Sequence, residues 1–480
     1  MPKVSSHRRA YGQYFTPEAV VACCYALLGG LLPAQPAIVD PACGDGAFLG
    51  HAAALGLAPA AHLAGCDLDA ALVAELHARG LVGVRNADGL DPASLPDAAF
   101  DLVVGNPPFG VATSGRAALA SEVRFLQRAC ALARPGGLVA LVLPNGVLAN
   151  ERLRLLRADL LARTTALAVI GLPRDTFRHA GTSAACSLLL LRIAPAPAGH
   201  QVFFALAERL AELPAVAAAW HARQPGAAPL AFFRPHGAEL AQRLDAQFWQ
   251  PAHTALIERL AARSPLPQLG DLLDQPGGLI AGDHVRASRG EARGPQLPYE
   301  YYQTREFLPA GYNYARIERC DERAYRRLAY TAVRHHDILV SCAGVGGAGR
   351  GRVCLITHTP GRSCTGDVLI VRARRVDPVF LFLLLASRAG QSQLLRWQNG
   401  VGTVNLSANE LLQLRVPLPP EGAQRDFAAR YEPVAAAHHA AMQALGAGDT
   451  AGYQAARAHS EALLAALIAD LEQRLLGKSG

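Results

Sequence analysis

The 480-residue sequence contains only two lysines, Lys3 and Lys478, among its 46 basic residues. Arginine therefore supplies nearly all of the positive charge, and the formal net charge is +7. Because arginine binds phosphates and guanine edges in a fixed bidentate geometry, this bias favours a nucleic-acid partner. A genome rich in G and C produces the same bias, so composition alone leaves both explanations open.

Long apolar runs and paired cysteine spacings are also missing. The apolar stretch from Ala184 to Ile193 has the length of a buried strand and is too short for a membrane span. The ten cysteines include no Cys-x-x-Cys, and Cys342, Cys354 and Cys364 are too far apart for a zinc knuckle. We therefore expect an intracellular, cytoplasmic protein with reduced thiols, no bound metal and no membrane contact.

Short apolar runs alternate with helix-length segments between Ile38 and Arg192. Runs of this kind are typical of strands in a mostly parallel sheet that helices cover on both faces. The sequence thus predicts an α/β fold for this region. Polar residues follow several of the runs, and ligands of such folds bind beside the carboxyl ends of the strands.

The composition changes after this region. Residues 194–199 alternate alanine and proline and end in glycine, which is typical of a linker. Residues 264–420 carry 19 arginines against 13 acidic residues, so nearly all of the excess positive charge lies in this segment. We predict a first domain over residues 1–195, a connecting segment over 196–263, a basic mixed α+β domain over 264–420 and a helical tail over 421–480.

A glycine-rich turn follows the first predicted strand, at Asp40-Pro41-Ala42-Cys43-Gly44-Asp45-Gly46. Glycine lets the backbone approach a ligand closely, although such a turn alone is also an ordinary strand-to-helix connection. The carboxylates of Asp40 and Asp45 would repel a pyrophosphate. They favour instead a cofactor that carries positive charge.

Two further carboxylates are placed to complete a cofactor site. Asp67 ends the next predicted strand, 23 residues beyond Gly44, where a carboxylate can accept hydrogen bonds from ribose hydroxyls. Asp69 competes for this role, and the strand-end position favours Asp67. Asp88 can receive the exocyclic amine of an adenine, with a solvated turn residue as the alternative.

The most informative segment is Asn106-Pro107-Pro108-Phe109, which follows another predicted strand. The amide oxygen of Asn106 and the carbonyl of Pro107 can each accept one N–H of an exocyclic amine, which frees the nitrogen lone pair for attack. Two prolines restrict the backbone so that the carbonyl faces the pocket. Phe109 offers a ring face for an extruded base. We predict that Asn106, Pro107, Pro108 and Phe109 are catalytic, and a rigid turn without this role is the alternative.

Three motifs in this order resemble the gamma class of DNA adenine N6-methyltransferases. They are Tyr11-Gly12-Gln13-Tyr14-Phe15-Thr16-Pro17, the glycine-rich turn and Asn106-Pro107-Pro108-Phe109. The resemblance covers about residues 8–193 and implies a Rossmann-like class I domain that uses S-adenosylmethionine and releases S-adenosylhomocysteine. It also implies that Tyr14, Phe15, Thr16 and Pro17 border the cofactor.

The complete predicted cofactor site is Tyr14, Phe15, Thr16, Pro17, Asp40, Pro41, Ala42, Gly44, Asp45, Gly46, Asp67 and Asp88. Gly181-Thr182-Ser183 is similar to a late motif of the same class. In some members of the class, an aromatic residue near that motif forms the second side of a base sandwich. Phe177 is the candidate for this role here.

The basic segment is similar to a target-recognition domain of type I specificity subunits. The similarity is carried by residues 336–341, 349–353, 377–387, 400–407 and 417–420, and the helical tail matches the spacer that follows such a domain. A module of this kind binds phosphates and reads a groove. Arg350, Arg352 and Arg396 are predicted to contact DNA, with a solvated surface arginine as the alternative for each. Three tyrosines belong either to a recognition loop or to the core: Tyr299, Tyr301 and Tyr302.

These observations predict a site-specific DNA methyltransferase (adenine-specific) that acts on double-stranded DNA by base flipping, within a restriction-modification or related defence system. A restriction endonuclease is a candidate partner, and the protein is expected to be a monomer or a homodimer. The resemblance also implies a prokaryotic or phage protein that is associated with the nucleoid. One alternative is a methyltransferase of an RNA base or of a release-factor glutamine. The other is a specificity or modification subunit of a larger complex.

Overall fold

The computed structural model describes residues 15–109, 121–178, 184–227, 229–274, 277–341, 352–397 and 406–477. These residues form two compact units. The first unit comprises the described residues through Gln250, and the second comprises those from Pro251 onward.

Within the described part of the first unit, ten strands form a single sheet. They are β1 (Ile38–Asp40), β2 (Leu63–Asp67), β3 (Val84–Asn86), β4 (Phe100–Gly105), β5 (Ala133–Pro144), β6 (Thr165–Gly171), β7 (Cys186–Arg192), β8 (Gln201–Leu206), β9 (Gly226–Ala227) and β10 (Leu230–Pro235). Every residue of β4 and β6 is buried, because both faces of these strands are covered.

The strand order in this sheet is β3-β2-β1-β4-β5-β7-β6-β8-β10-β9. Strands β1 to β5 pair with one another in parallel, whereas β7 runs antiparallel between β5 and β6. This arrangement confirms the predicted Rossmann-like α/β fold. The order reverses beside β1, since β2 and β3 lie on one side of it and β4 and β5 on the other.

Seven helices of the described chain surround or follow this sheet. They are α1 (Glu18–Leu28), α2 (Ala47–Ala54), α3 (Ala70–Ala78), α4 (Ser121–Leu132), α5 (Asn145–Ala149), α6 (Arg154–Arg163) and α7 (Leu213–Ala222). The main apolar core joins buried residues of α1, α2 and α7 to the inner face of the strands.

The first unit extends well beyond the predicted boundary at residue 195, and this expectation needs correction. Strand β8 pairs in parallel with β6 and antiparallel with β10, so the predicted connecting segment widens the sheet. The indole Nε1 of Trp220 on α7 donates a 2.9 Å hydrogen bond to the carbonyl of Leu27 on α1. The alanine-rich composition concealed a buried run, Val202 to Ala205, which drives this pairing.

The second unit has a mixed α+β architecture, as predicted. Its described strands are β11 (Leu279–Ala281), β12 (Tyr299–Tyr302), β13 (Phe307–Leu308), β14 (Gly311–Tyr312), β15 (Glu318–Cys320), β16 (Ile338–Ser341), β17 (Val353–Leu355), β18 (Ser363–Thr365) and β19 (Val368–Val371). They form a four-stranded sheet (β11-β19-β16-β17), a three-stranded sheet (β15-β12-β18) and a hairpin (β13-β14).

The helices of the second unit include the predicted helical tail. They are α8 (Pro251–Ala261), α9 (Glu322–Leu328), α10 (Pro378–Ala386), α11 (Arg388–Trp397), α12 (Ala408–Leu412), α13 (Glu421–Gly446) and α14 (Thr450–Leu476). Helix α10 is buried from Val379 to Leu385. The apolar stripe of α14 finds its packing partner within the chain, because α14 packs along α13.

Candidate functional site

A cavity lies at the carboxyl edge of the central strands of the first unit, and the space inside it together with the solvent at its mouth is about 720 Å³. Its walls come from the loops that follow β1, β2, β3 and β4, together with Phe15 and Thr16 before α1 and Phe125 on α4. The strand order reverses between these loops, and loops on the two sides of such a reversal leave a crevice for a ligand. The cavity therefore lies where this fold places its ligands.

The glycine loop (residues 40–46) makes a tight turn between β1 and α2. Gly44 and Gly46 have φ angles of 53° and 73°, in the left-handed region that favours glycine. A Cβ atom at Gly46 would also lie 2.4 Å from Cδ2 of Leu76. The turn places Pro41, Ala42, Gly44 and Asp45 in the cavity wall, while Gly46 fixes the start of α2.

Four carboxylates line the cavity: Asp40, Asp45, Asp67 and Asp88. Asp40 is only 1% exposed. Burial raises the pKa of its carboxyl to about 8, opposed by a hydrogen bond from the backbone of Ala42 and assisted by the nearby negative charges of Asp67 and Asp45. Because carboxylates line its wall, the cavity disfavours a phosphate ligand and favours a cationic one.

The structure separates the two competing carboxylates after β2. Asp67 lies in the cavity wall, and its Oδ2 accepts a 2.8 Å hydrogen bond from the backbone N–H of Gly44. Asp69 instead caps α3, where its Oδ1 accepts hydrogen bonds from the backbone of Ala71 and Leu72. The tertiary structure thus gives the cavity-facing position to Asp67.

The turn after β3 presents Asp88 at the open side of the cavity. Its Oδ1 accepts a 2.9 Å hydrogen bond from the backbone N–H of Leu90, which fixes the carboxylate. The neighbouring Gly89 is buried against the glycine loop, and a Cβ atom there would lie 1.9 Å from the carbonyl oxygen of Pro41. Only glycine permits this close approach of the two loops.

The 106–109 loop (Asn106, Pro107, Pro108 and Phe109) begins beside Asp40. A Cβ atom at Gly105, the last residue of β4, would lie 2.8 Å from Oδ1 of Asp40. Asn106 and Pro108 line the same cavity as the glycine loop, and Pro107 is buried. The sheet therefore brings two motifs that are distant in sequence to one wall.

Phe109 and Phe177 contact each other but do not form parallel walls. Phe109 is partly buried against the main core, and Phe177 is completely buried. Their ring centroids lie 6.0 Å apart with an interplanar angle of 89°. A planar base sandwiched between two rings requires parallel rings, so in this structure Phe177 supports the ring of Phe109 from its edge and does not stand opposite it.

The segment before α1 contributes to the wall only in part. Phe15 and Thr16 line the cavity, and Pro17 is the N-cap residue of α1. The ring of Phe15 lies 3.8 Å from the Cβ position of Gly44. Tyr14, also predicted to border the cofactor, lies outside the described residues, as does Gly181-Thr182-Ser183.

The predicted DNA contacts of the second unit have varied surroundings. The Arg352 guanidinium donates a hydrogen bond to the carbonyl of Phe307, and Arg396 is 8% exposed. Arg350 lies outside the described residues. The three tyrosines belong to the core, since all are buried: Tyr299, Tyr301 and Tyr302. Arg396 is therefore buried, whereas Arg352 is partly buried and bonded within its own unit.

The sequence analysis missed several residues of the site. Phe48, Leu68 and Phe125 line the cavity and add apolar surface to its acidic wall. The hydroxyl of Ser121 donates a 3.2 Å hydrogen bond to the carbonyl of Pro108. Leu68 follows Asp67 directly and could have been found from that position, whereas only the packing of α4 reveals Phe125 and Ser121.

Residues 74–214 match the family model described as N-6 DNA Methylase. The matched segment includes Asp88 and the 106–109 loop, and it confirms the predicted resemblance to adenine N6-methyltransferases over these residues. Across 116 residues, the chain is 30% identical to the defense against restriction protein B of Escherichia phage P1. That alignment covers 23% of this chain and 5% of the phage protein, so the chain spans only a small part of this curated relative.

Two solved structures share parts of the architecture. The type IIL restriction-modification enzyme MmeI in complex with DNA is 13% identical with a TM-score of 0.48, over 96% of this chain and 73% of that chain. A type I modification subunit from Vibrio vulnificus YJ016 is 19% identical with a TM-score of 0.40, over 48% of this chain and 57% of that chain. With TM-scores this low, the fold is assigned from the strand order itself.

Two features are absent from the described residues. In that part of the chain, no helix combines the length and apolarity that crossing a membrane requires. The same residues contain no group of three or more histidine, cysteine or acidic side chains arranged to hold a metal ion.

Proposed function

We propose that this protein is a site-specific DNA methyltransferase that transfers a methyl group from S-adenosylmethionine to the N6 atom of adenine. One observation carries the proposal: the 106–109 loop and the acidic glycine loop line the same cavity. The match of residues 74–214 to the N-6 DNA Methylase family supports it. The shared cavity matters because the 106–109 loop would then hold the target amine beside the ligand of the glycine loop, from which the methyl group comes.

The residues present fit S-adenosylmethionine on three counts. The cavity lies at the carboxyl edge of the sheet, where the strand order reverses and this fold places its ligands. Its four carboxylates favour a cationic ligand, and Gly44 and Gly89 allow a close backbone approach. Phe48, Leu68 and Phe125 offer apolar surface to a purine. The cofactor supplies an activated methyl group on its sulfonium sulfur.

Within this site, Asp67 would bind the ribose hydroxyls and Asp88 the adenine amine of the cofactor. The carboxylates of Asp40 and Asp45 would stabilise the positive charges of the cofactor. Asn106 and the carbonyl of Pro107 would accept the two N–H groups of the target amine and hold its nitrogen for in-line attack. The ring of Phe109 would stack on the target base, which must leave the duplex at a cost of about a few kcal/mol.

The second unit would supply the contacts with double-stranded DNA. Its segment 264–420 carries an excess of six positive charges, 19 arginines against 13 acidic residues, which favours binding to phosphates. The biological setting that we propose is a restriction-modification or related defence system, in which a restriction endonuclease is the candidate partner. The protein would act in the cytoplasm as a monomer or homodimer.

Methyl transfer from tritiated S-adenosylmethionine to duplex DNA, RNA and a release factor tests this proposal. We expect label in DNA only, and mass spectrometry of the digested DNA should identify N6-methyladenine. The Asn106→Ala variant should lose transfer and retain cofactor affinity, while the matched variant Asn409→Ala, at an exposed position of α12, should keep both. Label in RNA or the release factor would support another planar acceptor. Transfer only after addition of a partner would indicate a subunit of a larger complex.

A further inference from the structure

Three residues on one face of α4 contact separate parts of the site. Ser121, Phe125 and Arg128 are spaced by four and three residues, so they project from the same side of the helix. All three are buried, with exposed fractions of 5%, 6% and 8%. We refer to these residues as the α4 contact face.

The first contact holds the 106–109 loop. Pro107 and Pro108 have no backbone N–H, so the loop has few donors of its own. The carbonyl of Pro108 accepts its hydrogen bond from the Ser121 hydroxyl, at 3.2 Å. This bond fixes the Pro108–Phe109 peptide, which is the next peptide after the one that contains the Pro107 carbonyl. Because the ring of Pro108 locks the φ angle between these two peptides, the bond also restrains the orientation of the carbonyl that we assign to the target amine.

The last contact holds the turn that carries Asp88. The Arg128 guanidinium donates through Nε to the carbonyl of Gly89, at 3.3 Å, and through one terminal nitrogen to the carbonyl of Leu95, at 2.6 Å. Its other terminal nitrogen forms an ion pair with Asp97, whose side chain is 64% exposed. The guanidinium thus anchors both ends of the segment after β3.

Phe125 lies between these two contacts and lines the cavity itself. A rigid helix therefore sets the spacing between the loop proposed to hold the acceptor and the turn proposed to hold the donor. We infer that the α4 contact face positions the two halves of the site, with Ser121 acting through the 106–109 loop and Arg128 acting through the Asp88–Gly89 turn. This inference rests on the proposed function, because it assigns the two loops their ligands.

The inference predicts that substitution of Ser121 lowers the rate of methyl transfer, whereas substitution of Arg128 weakens binding of the cofactor. In Ser121→Ala, the single-turnover rate of methyl transfer should fall by about tenfold or more, since small misplacements of reacting groups are costly. The Kd for S-adenosylhomocysteine should change by less than about twofold in this variant. Ser121→Thr keeps the hydroxyl and should restore most of the rate.

Arg128→Lys keeps the positive charge beside Asp97 but cannot make the forked contacts with both carbonyls. Its Kd for S-adenosylhomocysteine should rise by about tenfold, and its rate at saturating donor should stay within about threefold of wild type. Asp97→Asn is the matched control, because it removes the charge of the exposed partner in this ion pair and leaves the bond from Arg128 to Gly89. This control should change neither quantity. Thermal unfolding of each variant identifies any loss of folding.

Hydrogen–deuterium exchange of the peptide spanning residues 102–109 provides a readout that does not require activity. Exchange there should increase in Ser121→Ala and stay unchanged in Arg128→Lys. Equal effects of both substitutions on rate and affinity, or no effect of either, would overturn the inference. If the wild-type protein does not methylate DNA, the proposed function fails, and the exchange and affinity measurements still decide the roles of Ser121 and Arg128.

Discussion

The backbone N–H of Gly44 donates a 2.8 Å hydrogen bond to Oδ2 of Asp67. The carboxylate that we assign to the cofactor ribose therefore also fastens the glycine loop to the end of β2. Its other oxygen, Oδ1, accepts a 2.9 Å hydrogen bond from the backbone N–H of Asp69. Since a carboxylate oxygen can accept more than one hydrogen bond, Asp67 can shape the loop and still receive a ligand.

Asp67→Ala is expected to weaken binding of the cofactor by about tenfold or more and to reduce the free energy of unfolding by about 1 kcal/mol, because two backbone donors lose their acceptor. Asp69→Ala removes the cap of α3 and should cost a similar amount, about 1 kcal/mol, without a change in affinity. Calorimetric titration and urea unfolding measure the two quantities. Weaker binding in the Asp69 variant alone would reverse our assignment of the two carboxylates.

Binding of S-adenosylmethionine at pH 7 is expected to release close to one proton from Asp40. Burial raises the pKa of this carboxyl to about 8 in the ligand-free protein, so it is mostly protonated at neutral pH. A cationic ligand favours the carboxylate, and affinity should therefore increase as the pH rises from 6 to 7.5. Titrations in buffers of different ionisation enthalpy count the protons, and Asp40→Asn should release none. Equal heats in all buffers for the wild-type protein would contradict this role.

The same carboxyl should make the ligand-free protein less stable at high pH. Its pKa is raised in the folded state, so its contribution is fully present below the ordinary aspartate value, about 3.9, and is lost as the pH rises through about 8. We expect Asp40→Asn to gain stability relative to wild type across this interval. Thermal unfolding of both proteins from pH 4 to pH 8 gives the difference, and a constant difference would show that Asp40 ionises without a folding penalty.

Gly105→Ala is expected to separate the two loops of the site. The added Cβ would lie 2.8 Å from Oδ1 of Asp40, so the end of β4 must move away from β1. The rate of methyl transfer should fall by about a hundredfold, since the 106–109 loop moves with it. Gly146→Ala is the control, because nothing lies within 4 Å of its Cβ position. A similar rate in the two variants would show that the spacing of the loops is not critical.

Asp245→Ala is expected to destabilise the first unit by about 3–5 kcal/mol, since it leaves the Arg243 guanidinium without its buried partner. Arg243 Nε and Asp245 Oδ1 lie 2.6 Å apart, and each side chain is 2% exposed. The control is Asp159→Ala, which breaks an exposed pair with Arg163 and should cost less than about 0.5 kcal/mol. Urea unfolding compares them, and equal losses would show that burial does not govern the strength of these pairs.

The local features of the site were accessible from the sequence. The buried runs at β1, β2, β4, β5, β6 and β7 predicted the strands, because an unbroken apolar run of strand length has to be covered on both faces. The glycine loop and the 106–109 loop are contiguous in sequence, so their residue types could be interpreted without the fold. The fold class followed from the same pattern.

Other features required the folded chain. The predicted connecting segment contains β8, because pairing with the sheet buries the apolar side chains of Phe203 and Phe204. Phe177 was predicted to face the base, but its ring meets Phe109 at 89°. The division of roles between Asp67 and Asp69 and the bond from Ser121 to Pro108 depend on neighbours that the sequence does not specify.

The sequence by itself determined which short segments carry the chemistry, because the residues of a turn or loop lie next to one another along the chain. Only the tertiary structure decided which of these segments line the same cavity. It also decided that α4 contacts both the 106–109 loop and the Asp88–Gly89 turn. The physical reason is that lateral neighbours in a sheet are selected by the joint burial of apolar surface from segments far apart in sequence. Asp40 and Asn106 lie on one cavity wall because β1 pairs with β4.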